Sequence, residues 1–122
     1  MKTTMTHISL TPGPVEASRA RDAIRRFLVS GGVEVASAEA MVARIADACT
    51  AATARTGDGS DIQIDVLLEG SEVAALVKDA TARLELRDLG LLHRPLGTPR
   101  AWGGGLYLMT CIAGAIEVSR GA

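Results

Sequence analysis

Aromatic residues are nearly absent. Phe27, Trp102 and Tyr107 are the only three in 122 residues. A surface that stacks nucleobases needs more than that. The core must therefore be assembled from Ala, Val, Ile, Leu and Met. Cysteine is scarce too: Cys49 and Cys111 lie far apart, each in an apolar pattern of helical spacing. They read as buried thiols in a reducing compartment rather than as a disulfide. The two histidines, His7 and His93, have no cysteine or carboxylate at ligand spacing, which leaves no metal-site signature. Net charge is also low, at -1, so no strong field draws the chain to nucleic acid or anionic lipid. Apolar runs fall far short of the roughly 18 residues that a membrane span requires. The segment 1–7 has no apolar signal core, so a cytoplasmic location is expected.

What is present fits one domain over residues 1–122, long enough to bury a core without staples. A short strand is expected over His7–Leu10. Thr11-Pro12-Gly13-Pro14 breaks it, and Pro14 suits the first turn of a helix. Ala20, Ile24, Phe27 and Leu28 recur at helical spacing to about Ser30, with Asp22 and Arg26 as an i,i+4 pair on the outer face. Gly31-Gly32 ends this helix. Ser37 is the expected N-cap of a second helix, whose stripe is Val42, Ile45, Ala46, Cys49 and Ala52 and whose end lies in the turn cluster at 56–60.

A β region follows. Ile62, Ile64, Val66 and Leu68 alternate with Gln63, Asp65 and Glu69. Gly70-Ser71 suits a two-residue hairpin turn, and Val73, Ala75 and Val77 continue as a return strand. A short helix over 72–78 competes with that strand, because Ala and Leu favour it. Thr81–Arg87 alternates again, and Asp88-Leu89-Gly90 closes it. Gly103-Gly104-Gly105 opens an expected last helix from Leu106 to about Ala113, and Ala115–Ser119 reads as a final strand. The order predicts an α/β (α+β two-layer) sandwich. Its sheet is expected to be mostly antiparallel but mixed, with helices on one face.

Three places could carry chemistry. Asp47 and Ala51, four apart on the second helix, share a face, and a carboxylate at Asp47 could act as a base. Asp88 at a strand end could accept a hydrogen bond from an exocyclic amine, while Gly90 permits close approach of the backbone. Gly103, Gly104 and Gly105 before Leu106 suit a phosphate at a helix N-terminus. Each has a plainer reading: a solvated helix aspartate, a strand-to-loop turn and a flexible hinge.

In order and spacing, Asp47-Ala48-Cys49-Thr50-Ala51-Ala52, Asp88-Leu89-Gly90 and Gly103-Gly104-Gly105-Leu106-Tyr107-Leu108 together resemble the GHKL ATPase superfamily, the Bergerat fold. Within it the chain most resembles the bacterial anti-sigma factors that are also serine-protein kinases. The resemblance implies a site for ATP, with Asp47 at the catalytic-base position and Ala51 at the magnesium-asparagine position. It places Asp88 and Gly90 at the adenine contact, Gly103, Gly104, Gly105 and Leu106 at the phosphate loop, and residues 93–102 as a lid. It also implies a protein partner, either a sigma factor or its antagonist.

The departures from the family pattern are specific. Ala51 has no oxygen for magnesium, Asp47 is one methylene shorter than glutamate, and Leu91-Leu92 replaces an expected second glycine. The family's further strand is missing, which leaves Ala115–Ser119 at a sheet edge that homodimer pairing could cover. The expectation is a regulatory protein with an impaired ATP site. The alternative is an active serine-protein kinase with Asp47 as base.

Overall fold

A computed structural model describes residues 3–57, 59–70, 72–79, 106–112 and 115–120. The fold is α+β in two layers, a five-stranded antiparallel sheet with two helices. The strands are β1 (Thr3–Leu10), β2 (Ile62–Glu69), β3 (Glu72–Lys78), β4 (Leu106–Ile112) and β5 (Ala115–Arg120). Helices α1 (Pro14–Ser30) and α2 (Val35–Thr56) separate β1 from β2. The sheet order is β1-β2-β3-β4-β5, and each neighbouring pair is antiparallel. Among the described residues the sheet is thus antiparallel throughout, in line with the expected mostly antiparallel sheet with helices packed on it.

α1 begins where the sequence places it. Pro14 lacks the N–H that the first turn would leave unpaired, and Glu16 sits at the positive end of the dipole. Ala20, Ile24 and Leu28 are its buried face. α2 starts at Val35 with Glu34 as N-cap, three residues before the expected cap at Ser37. Its buried residues are Ala38, Met41, Val42, Ile45, Ala48, Cys49 and Ala52. It stops at Gly57, whose φ of 64° is left-handed, and the Gly57 N–H donates to the Thr53 carbonyl.

The expected Asp22–Arg26 pair is replaced by a cross-helix one. Arg25 reaches Asp22 at 2.8 Å, and its Nε donates to Glu39 on α2. The Glu39 hydrogen bond leads the causes that raise the pKa of Arg25 above its ordinary value. The pairing crosses the α1–α2 hairpin because the Arg25 side chain reaches Glu39 of α2.

Ile62, Ile64, Val66 and Leu68 of β2 meet the helices, together with Val73, Ala75 and Val77 of β3. Gly70 turns the β2–β3 hairpin at a φ of 62°, and Val66 pairs with Ala75. Residues 72–78 are strand, not helix: seven ladder positions against β2 outweigh the helical preference of Ala and Leu. β1 is four residues longer than expected, since its pairing with β2 continues from Leu10↔Ile62 back to Thr3↔Glu69.

The main correction falls on Leu106–Ala113. Residues 106–112 form β4, not a helix, and lie between β3 and β5. Tyr107, Met109 and Cys111 belong to the helix-side core, while Leu106 and Leu108 are buried on the opposite face. A strand buried on both sides has a continuous apolar run, which periodicity cannot distinguish from a buried helix. β5 confirms the final strand, extends it to Arg120 and stands last in the sheet.

Both thiols are free and buried, as expected. Among the described residues, no helix is long and apolar enough to cross a membrane. The expected strand over 81–87 lies outside the described residues.

Candidate functional site

α2 carries the first expected site residue. The buried stripe turns Ile45 toward the sheet, and Asp47 follows two residues later, roughly 200° around the helix. Its carboxylate is accordingly 77% exposed, and Arg44 lies 4.0 Å from it. Ala51 is also exposed. The structure therefore puts Asp47 and Ala51 on one outward side, as the spacing predicts.

Asp88, Gly90, Gly103, Gly104 and Gly105 lie outside the described residues, as do residues 93–102. Leu106 is the exception. It is fully buried, is the first residue of β4 and pairs with Lys78 of β3. The phosphate argument for Gly103–Gly105 rested on a helix starting at Leu106. With a strand there, no helix begins at Leu106 to supply that dipole. The rest of that expectation is geometric: the chain enters β4 beside the end of β3.

That strand end holds a residue that sequence reasoning missed. Asp79 follows β3 directly, and its carboxylate is fully buried. The Nε of Arg55, on the last turn of α2, donates to Asp79 Oδ2 at 2.8 Å. A guanidinium is a strong donor to a carboxylate, so the bond is charge-assisted. The available signal was Lys78-Asp79 closing an apolar strand, a pattern with the same form as Asp88-Leu89-Gly90. The end of β3, the start of β4 and the C-terminal turn of α2 thus converge, and Asp79 is the described carboxylate at that point.

No protein-family model matches the chain, and no curated protein does. The site has to be judged on its own donors. Magnesium needs several hard oxygen ligands in near-octahedral order. Asp47 supplies one exposed carboxylate, Ala51 supplies none, and Asp79 is engaged by Arg55. Among the described residues no group of three His, Cys, Asp or Glu could hold a metal ion.

Other polar features lie apart from this end of α2. On the sheet face away from the helices, buried Asp65 of β2 is hydrogen-bonded to His7 Nδ1 of β1. Lys78 Nζ lies 3.8 Å from its other oxygen. Asp65 was expected on the solvated side of an alternating strand, as was Glu69, which accepts from Thr3 Oγ1 at 2.9 Å. Both are buried instead, and both have partners. On the α1 side of α2 lies a cavity of about 600 Å³, bordered by Ala46, Cys49 and Thr50 but not by Asp47 or Ala51.

Proposed function

We propose that this chain is a regulatory module that works by binding a protein partner. By its resemblance to the anti-sigma kinases, the partner is a sigma factor or the antagonist of one. The nucleotide site of that scaffold is kept in outline and has lost its magnesium chemistry. The observation that carries the reading is the outward side of α2, where a solvent-exposed Asp47 stands one turn from an alanine. A base there would have to work without burial and without a metal ligand beside it. The reading places the protein in the cytoplasm, where such partners are found.

Calorimetry with ATP, with and without magnesium, tests the site. The expected result is weak binding, or none, that magnesium does not improve. Micromolar, magnesium-dependent affinity would refute the impaired-site reading. Transfer of radiolabelled phosphate to an antagonist protein, lost in Asp47→Asn, would show an active kinase instead. If ATP binds weakly, Asp88→Asn and Asp79→Asn compare the two strand-end carboxylates, and the one that contacts adenine should lower the affinity further. Affinity capture from the native host, with mass-spectrometric identification, tests the partner class. A set of captured proteins without a sigma factor or a sigma-regulating antagonist would overturn it.

A further inference from the structure

An open, largely apolar pocket lies beside α1, between it and α2. Its volume of about 600 Å³ lies within the range of small-molecule sites. It opens where small side chains face each other across the helix pair, Ala17 and Ala20 on α1 and Ala46 and Cys49 on α2. Leu10 and Ile64 bring the ends of β1 and β2 to it.

The chemistry of the wall is one-sided. The hydroxyls of Thr50 and Thr53 donate to α2's own carbonyls, of Ala46 at 3.1 Å and Cys49 at 2.9 Å. Burial pushes the Cys49 thiol up to about 12, so it remains neutral. Among the described residues, Arg21 is the only charged one on the wall. Arg19, Arg25, Arg44 and Arg55 each face a carboxylate, whereas Arg21 has no ion pair among the described residues. The first turn of α1, at Pro14 and Ala17, also borders the cavity and presents the positive end of the helix dipole. A nucleotide, with its many donors and acceptors, would find almost no partners on such a wall.

We propose that this cavity binds an aliphatic carboxylate. The hydrocarbon chain lies between Ile24 and Ile45, and the carboxylate meets Arg21 at the rim. An unbranched chain of roughly eight to twelve carbons suits a site of this size. α2 separates this cavity from the outward side that holds Asp47 and Ala51, so the inference stands independently of the nucleotide site.

Titration calorimetry with decanoate and with decan-1-ol, its uncharged counterpart, tests the proposal on the full chain. Both should bind saturably at one site. Arg21→Gln should weaken decanoate about tenfold, the size of one charge-assisted hydrogen bond, and leave decan-1-ol within about twofold. Ala46→Leu fills the space and should abolish binding of both while the far-ultraviolet circular dichroism stays unchanged. Ala17→Leu fills it from the facing helix and serves if the first variant does not fold. The absence of saturable decanoate binding would overturn the proposal, as would binding that survives both filling variants. Equal losses of decanoate and decan-1-ol in Arg21→Gln would remove the anionic head from it. A dimer that Ala46→Leu dissociates without changing decanoate affinity would make a second copy of the chain the occupant and refute the ligand.

Discussion

Adding one methyl group at Gly31 should destabilise the protein, although the backbone there would accept alanine. Gly31 follows α1 at a φ of -83° and ψ of 1°, a conformation open to any residue. Its constraint is steric. A Cβ at Gly31 would lie 2.0 Å from Leu68 Cδ2, and 3.3 Å from the Phe27 carbonyl oxygen. Carbon atoms in contact sit about 3.5–4.0 Å apart, so Leu68 would have to withdraw by roughly 1.5 Å. Leu68 is itself in the core, and only 4% exposed. Overpacking of this kind costs about 1–3 kcal/mol. Replacing glycine stiffens the unfolded chain and returns about 0.4–1 kcal/mol. The net loss for Gly31→Ala should be about 1 kcal/mol, or about 4 °C in Tm for a domain of this size.

Urea denaturation followed by the helical circular dichroism signal reads the effect as a lower midpoint at unchanged slope. Leu68→Val supplies the control, because valine has no atom at the Cδ2 position and keeps the strand's preference for branched residues. In that background Gly31→Ala should be neutral or slightly stabilising. An unchanged midpoint in the parent, or the same loss in both backgrounds, would refute the steric argument and with it the close approach of the α1–α2 turn to β2.

Two further predictions concern buried groups. Cys49 ionises at about 12 in the folded protein against an ordinary 9.0, because burial penalises the thiolate. The folded state therefore holds that proton more tightly than the unfolded state does. The contribution to stability is whole below pH 9 and is lost as pH rises from there through about 12. At pH 8 iodoacetamide should alkylate Cys49 about 1,000-fold more slowly than an unstructured thiol, measured by mass spectrometry of the Cys49 peptide. Asp79→Ala removes the buried partner of Arg55 and should cost about 2 kcal/mol in thermal denaturation, less than for a wholly buried pair because water can reach the freed guanidinium. A loss below about 0.5 kcal/mol would show that the pair contributes no more than a surface one.

Much of the architecture was legible because it is written in local periodicity. Pro14 and the Ala20–Ile24–Leu28 spacing specify α1, and the alternation from Ile62 to Leu68 specifies β2 with the correct side inward. Gly57 and Gly70 mark a helix end and a hairpin because their positive φ values suit glycine, and such needs show in sequence. The shared face of Asp47 and Ala51 follows from helical geometry alone. Of the candidate site, that face is what the described residues bear on, along with the position of Leu106.

What tertiary structure decided is of another kind. An apolar run such as Leu106–Ile112 satisfies helix and strand equally, and the unpaired edge of β3 makes it a strand. Asp65, Glu69, Lys78 and Asp79 look like solvated charges in the sequence, yet all four are buried. Burial of a charge depends on partners distant in the chain: His7 for Asp65, Thr3 for Glu69 and Arg55 for Asp79. The cavity beside Arg21 likewise exists only because two helices and two strand ends meet there with small side chains between them. The sequence by itself determined the local elements and their inward faces, since those follow from spacing along one segment. Strand neighbours, buried charge and the shape of empty space were settled by the packing of segments against each other, which no single segment encodes.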